Sequence, residues 1–243
     1  MTQAPPFSFE CSKCGKTFQS ALPSTPVSWA IEDDQLVCDD CVTPDPAPEE
    51  KAVPVRCETA IHLLSGAYIA LADTACAVVT ARDIAAGLRQ PRFGAQTEHF
   101  YTVAQHSLLV LRLVSPLARK LGGEKGLQLR RCAFMHDAHE ALIHDVVSPL
   151  KRQLQEYRSI EARLETRLAD HFGFYWTDFR RDAVKRADIE ALAIEQRDLK
   201  GSVDPWPIFD CIDRDKLGSI KITRCWHPDE AQERFLAAFE DLF

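Results

Sequence analysis

The chain has 243 residues, of which 46% are hydrophobic and 27% charged, and its formal net charge at pH 7 is −7. This composition excludes a chain that is disordered throughout, and it supplies enough apolar side chains for a core without disulfide bonds. The acidic balance argues against binding of duplex nucleic acid, because its phosphates repel such a chain at long range.

The sequence gives no sign of a membrane or secretory protein. No segment approaches the ~18 consecutive apolar residues of a membrane span. Residues 1–10 lack the basic start and apolar run of a secretory signal. The nine cysteines are an odd number, and only four fall into C-x-x-C pairs. We therefore expect a cytoplasmic protein with metal-bound and buried thiols rather than a disulfide framework.

The amino-terminal segment carries both cysteine pairs, which are Cys11 with Cys14 and Cys38 with Cys41. Two residues between the members of a pair allow one tight turn to direct both sulfurs at one ion, so the four predict a structural zinc site. About 50 residues hold little core of their own, so zinc would supply most of the folding free energy of this zinc-ribbon-like module.

A proline-rich stretch, residues 43–50, follows the module and reads as a stiff linker. We place the domain boundary there, with a four-cysteine module in residues 1–50 and a second domain in residues 51–243.

The second domain is predicted to be all-α. Thr80 and Asp83 form a helix-start signal, and Gly122 and Gly173 mark helix ends. Apolar periodicity predicts helices over residues 102–121, 125–143, 157–172, 179–199 and 229–242, with a short helix starting at Ser148. No alternating run long enough for a sheet is evident.

Polar residues on these apolar helices are the candidates for function. His136 and Asp137 are adjacent in an apolar setting, while His106 and Asp188 lie on two other helices. Buried carboxylates are usually paired or bound to metal. Each residue taken singly also fits a hydrogen-bonded core role or a salt bridge, so spacing alone leaves both interpretations open.

The ordered set resembles the HD-domain metal-dependent phosphohydrolases, especially the small bacterial 5'-deoxynucleotidases and the phage-type deoxynucleotide phosphohydrolases. The likeness covers roughly residues 56–200. The motifs that carry it are DIA at 83–85, PRFG at 91–94, YTVAQHSL at 101–108, FMHDAHEA at 134–141, Asp145, SPLK at 148–151 and KRAD at 185–188.

The resemblance implies that His106, His136, Asp137 and Asp188 bind one divalent cation, whether Mn, Co, Zn, Fe or Mg. It implies roles for Glu140 and Asp145 near an attacking water. Their chemistry suits Glu140 as a general base, and Asp145 as the group that orients the water or protonates the leaving oxygen. The resemblance also implies that Arg92 and Lys151 contact phosphate and that Phe93 forms an aromatic wall beside the sugar. His144, where many relatives carry glycine, and Phe93, where they carry tryptophan, depart from the pattern at the substrate pocket.

The expected function is therefore release of phosphate from a deoxynucleoside 5'-monophosphate by an all-α HD-domain helical bundle that carries a zinc module. The alternatives are a dNTP triphosphohydrolase that releases triphosphate, a non-catalytic nucleotide sensor, and an interaction protein that acts through the zinc module. The expected partner is a small nucleotide, and the resemblance implies a homo-oligomer. Glu195, two turns after Asp188, and His139 are left open between support of the metal site and packing.

Overall fold

The computed structural model describes residues 7–20, 30–32, 35–37, 60–71 and 79–243. The chain divides into two compact units, residues 1–54 and 55–243. Cys38, Cys41 and the predicted linker at 43–50 lie outside the described residues, so the structure leaves the zinc module as a prediction.

Two short hairpins make up the described part of the first unit. Strand β1, Phe7–Glu10, pairs antiparallel with β2, Thr17–Ser20, and β3, Ala30–Glu32, pairs with β4, Gln35–Val37. Cys11 is buried directly after β1, and Cys14 is exposed in the turn that follows. The tight turn of the first C-x-x-C pair closes by a hydrogen bond from the Gly15 amide to the Cys11 carbonyl. Gly15 has a φ of +73°, which a side chain rarely tolerates.

The second unit is mostly helical, and it opens with a small hairpin and a capped helix. Strands β5, Ala60–His62, and β6, Tyr68–Ala70, pair antiparallel. Helix α1, Ala81–Gly87, starts with the predicted capping box: Thr80 accepts from the Asp83 amide, and the Asp83 carboxylate accepts from the Thr80 amide. Asp83 also accepts from the amide of Ser65, which ties the helix to the hairpin turn.

Helix α2 spans Val103–Leu121. The other α-helices of this unit, within the described ranges, are α3 Gly123–Met135, α4 Glu140–Ile143, α5 Ser148–Lys151, α6 Gln155–Phe172, α7 Asp178–Leu199 and α8 Pro228–Leu242. Helix α2 packs against α3, α7 and α8, and its buried residues include Val103 and Val110.

The structure confirms a mostly helical second unit, but one predicted helix is wrong and a small hairpin is added. The predicted single helix over 125–143 is interrupted by a turn at His136–His139, which separates α3 from α4. The β5–β6 hairpin departs from the all-α expectation, because strands of three residues are too short to show alternation. Among the residues that the structure describes, none of the helices combines the length and apolar character needed to cross a bilayer.

Candidate metal centre

The four side chains predicted to bind a cation come from three parts of the helical unit. His106 lies in the first turn of α2, His136 and Asp137 follow the end of α3, and Asp188 lies in the middle of α7. His136 and Asp137 both contact His106 of α2. His106 is fully buried, and α2 packs against α3, α7 and α8.

The structure groups His106, His136 and Asp137, whose ligand atoms lie within 4.8 Å of one another, and it places Asp188 against His106. The His106 Nε2 atom lies 3.2 Å from His136 Nε2 and 3.4 Å from both Asp137 Oδ2 and Asp188 Oδ1. His136 Nε2 lies 3.1 Å from Asp137 Oδ2. Ligand atoms about 2.0–2.2 Å from one ion, at ligand–ion–ligand angles of about 90–110°, are roughly 2.8–3.6 Å from each other. The separations among His106, His136 and Asp137 fall in that range, and so does the distance from His106 to Asp188.

The opposite ring nitrogens of both histidines are held by acceptors. His106 Nδ1 lies 2.6 Å from Glu195 Oε1, and His136 Nδ1 lies 2.9 Å from the carbonyl oxygen of Ala133. Since a carboxylate and a carbonyl only accept, each Nδ1 carries the proton. In the neutral rings both Nε2 atoms then present lone pairs to each other, an arrangement that a cation between them stabilises.

Glu195 lies on α7, is fully buried, and contacts both His106 and Arg92. Its Oε1 also accepts a hydrogen bond from the hydroxyl of Tyr101 at 2.9 Å, and its Oε2 lies 3.4 Å from Arg92 Nε. Glu195 thus fixes the His106 ring and balances Arg92 at the same time.

Arg92 is the positive group already present at this centre. Its guanidinium lies 3.2 Å from Asp137 Oδ2 and 3.5 Å from Asp188 Oδ1, and only 12% of its side chain is exposed. Burial alone would lower the pKa of Arg92, but Glu195, Asp137 and Asp188 raise it, so the side chain stays charged. A planar charged group beside the carboxylates is suited to a tetrahedral oxyanion.

The ionisation of the ligands follows from their mutual contacts. Burial and Arg92 lower the pKa of His106, but the carboxylates of Glu195 and Asp188 raise it to about 9. Burial would raise the pKa of Asp137, whereas His136, His106 and Arg92 hold it well below its usual range. The cluster therefore favours a positive charge at the His106 position, which a metal ion would supply in place of a proton.

Glu140 starts α4 beside the ligands and is 3% exposed. Burial and the carboxylates of Asp137 and Asp145 raise the pKa of Glu140 well above its usual value. A carboxylate with a raised pKa is a stronger proton acceptor, which suits a general base.

The Asp145 side chain contacts the backbone amide of Phe93. Asp145 Oδ2 accepts the amide proton of Phe93 at 3.1 Å, and this bond holds a turn in which Phe93 and Ala95 adopt left-handed φ angles of 59° and 62°. The Phe93 ring is half-buried and lies near the Arg92 guanidinium. The distance from Arg92 Cζ to the ring centroid is 5.2 Å.

Lys151, at the end of α5, points to α6 and α4. Its Nζ donates to Glu161 Oε1 at 2.6 Å and lies 3.7 Å from Glu140 Oε1. His139 Nε2 contacts the same Glu161 oxygen at 3.0 Å. His139, whose role the sequence left open, thus supports this second group of charges.

Sequence reasoning missed two residues that shape the site. Glu161 is one of several glutamates on α6, and nothing in its spacing distinguishes it. Gln90 bridges two segments: its Nε2 donates to the Glu140 carbonyl at 2.7 Å, and its Oε1 accepts the Asp145 amide at 3.0 Å. It also contacts His144 Nδ1 at 2.9 Å, which supports His144 in a left-handed conformation with a φ of 67°.

Comparison with known proteins gives relatives that are matched over most of their own length. The chain is 32% identical over 168 residues to the uncharacterized protein YfdR of Escherichia coli K12, a match covering 68% of this chain and 84% of YfdR. It is also 32% identical over 147 residues to an uncharacterized protein of Rhodobacter capsulatus, covering 58% of this chain and 72% of that protein. No protein-family model matches the sequence.

Proposed function

The chain belongs to the family of the Escherichia coli protein YfdR, and we propose that it is a metal-dependent phosphohydrolase that releases phosphate from a deoxynucleoside 5'-monophosphate. In this proposal residues 51–243 form an HD domain, with a structural zinc ion in the four-cysteine module. The observation that carries it is the group of His106 Nε2, His136 Nε2 and Asp137 Oδ2 at ion-ligand spacing, with Asp188 against His106 and Arg92 against both carboxylates.

The donor set fits a catalytic cation. Two imidazoles and two carboxylates suit Mn, Co, Fe or Zn, and they leave coordination positions for other groups. A cation held by His106, His136, Asp137 and Asp188 would lower the pKa of a water molecule and offset the charge on a phosphate oxygen.

The remaining residues would position the reactants. Glu140, buried and with a raised pKa, accepts the proton of the attacking water. Arg92 offers two guanidinium nitrogens to the phosphate oxygens from its place beside Asp137 and Asp188. Asp145 orients the water or protonates the leaving oxygen, and the Phe93 ring borders the sugar.

The experiment is a substrate panel with the full chain loaded with Mn, Co or Zn. Deoxynucleoside and ribonucleoside monophosphates and triphosphates are offered, and phosphate is separated from triphosphate. The proposal predicts phosphate release from deoxynucleoside monophosphates, abolished in Asp137→Ala and retained in the matched control Asp182→Ala, which removes an exposed carboxylate from α7.

The other outcomes identify the alternatives. Release of triphosphate would replace the monophosphatase with a dNTP triphosphohydrolase, because the same residues serve both reactions. Metal binding without turnover of any nucleotide would favour a nucleotide sensor. Full activity in Asp137→Ala would contradict the metal assignment itself.

A further inference from the structure

A second group of ligand-type side chains lies beside the candidate metal centre. His139, Glu140 and Glu161 each offer one atom, and these atoms lie within 4.8 Å of one another. Glu140 begins α4 and His139 precedes it, while Glu161 projects from α6. We call these three residues, with Lys151, the lysine cluster.

The cluster is buried and incompletely satisfied. His139 is 7% exposed and Glu140 is 3% exposed. Within the part of the chain that the structure describes, His139 Nδ1 and Glu140 Oε2 are both buried without a hydrogen-bond partner. Unsatisfied buried polar atoms are uncommon in folded proteins, and they often mark a site for an ion or a ligand.

The Lys151 ammonium supplies a positive charge to the carboxyl groups of Glu140 and Glu161. Its Nζ lies 2.6 Å from Glu161 Oε1 and 3.7 Å from Glu140 Oε1, so one positive charge faces two carboxyl groups. Three quarters of the Lys151 side chain is covered, with 24% exposed, so solvent screens this charge only in part.

Removal of the ammonium would leave the buried Glu140 and the partly buried Glu161 without the cation that lies closest to both, which is unfavourable. One imidazole and two carboxylates form the kind of donor set that binds Mn²⁺, Co²⁺ or Zn²⁺. We propose that Lys151 occupies the position of a second cation, and that the lysine cluster binds a divalent metal ion when this side chain is shortened.

The test is the number of Mn²⁺ ions bound per full-length chain, measured by equilibrium dialysis with elemental analysis. Mn²⁺ is chosen because it prefers oxygen and nitrogen ligands, so the amino-terminal thiols compete poorly for it. The variants are Lys151→Ala, the double variant Lys151→Ala with Glu161→Gln, and the matched control Lys216→Ala. Lys216 also pairs with a carboxylate, Asp213, at 2.7 Å, but 81% of its side chain is exposed.

The proposal predicts one more Mn²⁺ ion per chain in Lys151→Ala than in the wild type. It predicts no gain in Lys216→Ala, and loss of the gained ion when Glu161→Gln is added to Lys151→Ala. An unchanged count in Lys151→Ala would overturn the inference, as would a gained ion that persists without Glu161. If Lys151→Ala folds only when Mn²⁺ is added, the inference is supported, and failure to fold with Mn²⁺ counts against it.

This result is separable from that of the proposed function. A wild-type chain that binds no Mn²⁺ would contradict the catalytic centre, yet an ion gained only in Lys151→Ala would still support the lysine cluster. A wild-type chain that binds one ion, with no gain in the variant, would leave the catalytic centre in place and remove this inference alone.

Discussion

Replacement of Glu195 by glutamine tests how the metal centre is held together without touching a predicted ligand. The wild-type carboxylate accepts from His106 Nδ1 at 2.6 Å and from the Tyr101 hydroxyl at 2.9 Å, and it lies 3.4 Å from Arg92. An amide of the same size is neutral, so it balances Arg92 less well and stabilises the Nδ1 proton of His106 less strongly.

The expected effect on metal affinity is large, because the side chain is fully buried. Loss of a partner that orients a metal-bound histidine typically weakens binding by about 10–100-fold. That range corresponds to about 1.4–2.8 kcal/mol. We expect Glu195→Gln to bind Mn²⁺ correspondingly more weakly than the wild type.

The assay is a Mn²⁺ titration by calorimetry, with circular dichroism to show that the helices are retained. Glu190→Gln is the matched control, because Glu190 lies on the same helix and pairs with the exposed Arg186 at 3.4 Å. We expect the control to keep wild-type affinity. Wild-type affinity in a folded Glu195→Gln variant would refute the role of Glu195 in orienting His106.

Three further predictions concern stability and zinc. Gly87→Ala should lower the melting temperature in a thermal scan, because its Cβ would lie 2.3 Å from the Ala141 carbonyl oxygen, and such overpacking typically costs about 1–3 kcal/mol; an unchanged melting temperature would contradict the close approach of α1 and α4. Burial raises the pKa of Asp83, but hydrogen bonds from Thr80 and Ser65 lower it overall. Its contribution to stability is therefore present above the ordinary value of 3.8 and is lost as the pH falls through the lower folded pKa. In denaturant titrations Asp83→Asn should thus lose less stability than the wild type on acidification, and equal losses would argue against the cap. Cys11→Ser should reduce the zinc content measured by elemental analysis, and full retention of zinc would contradict the four-cysteine site.

Helix boundaries with a local chemical signal were predictable. Thr80 and Asp83 form the predicted capping box at the start of α1, and Gly173 ends α6 with a left-handed φ of 69°. Both signals depend on neighbouring residues alone, so the sequence carries them in full.

The break between α3 and α4 carries no such signal. His136 and His139 both keep helical backbone angles, and neither glycine nor proline marks the interruption. The apolar pattern therefore continues across it, and the change becomes visible only in the fold.

The residues of the candidate site were also predictable only in part. Residue types and their order pointed to His106, Asp137 and Asp188 as partners, and the structure brings them together. The links from Lys151 to Glu161 and from Gln90 to the Glu140–Asp145 segment depend on how separate elements pack, which no local pattern encodes.

Anomalous diffraction from crystals soaked with Mn²⁺ tests the central claim most directly. We expect an anomalous peak from one Mn²⁺ ion whose ligands are His106 Nε2, His136 Nε2 and one carboxylate oxygen from each of Asp137 and Asp188. A soaked crystal without a peak between these four side chains would contradict that claim.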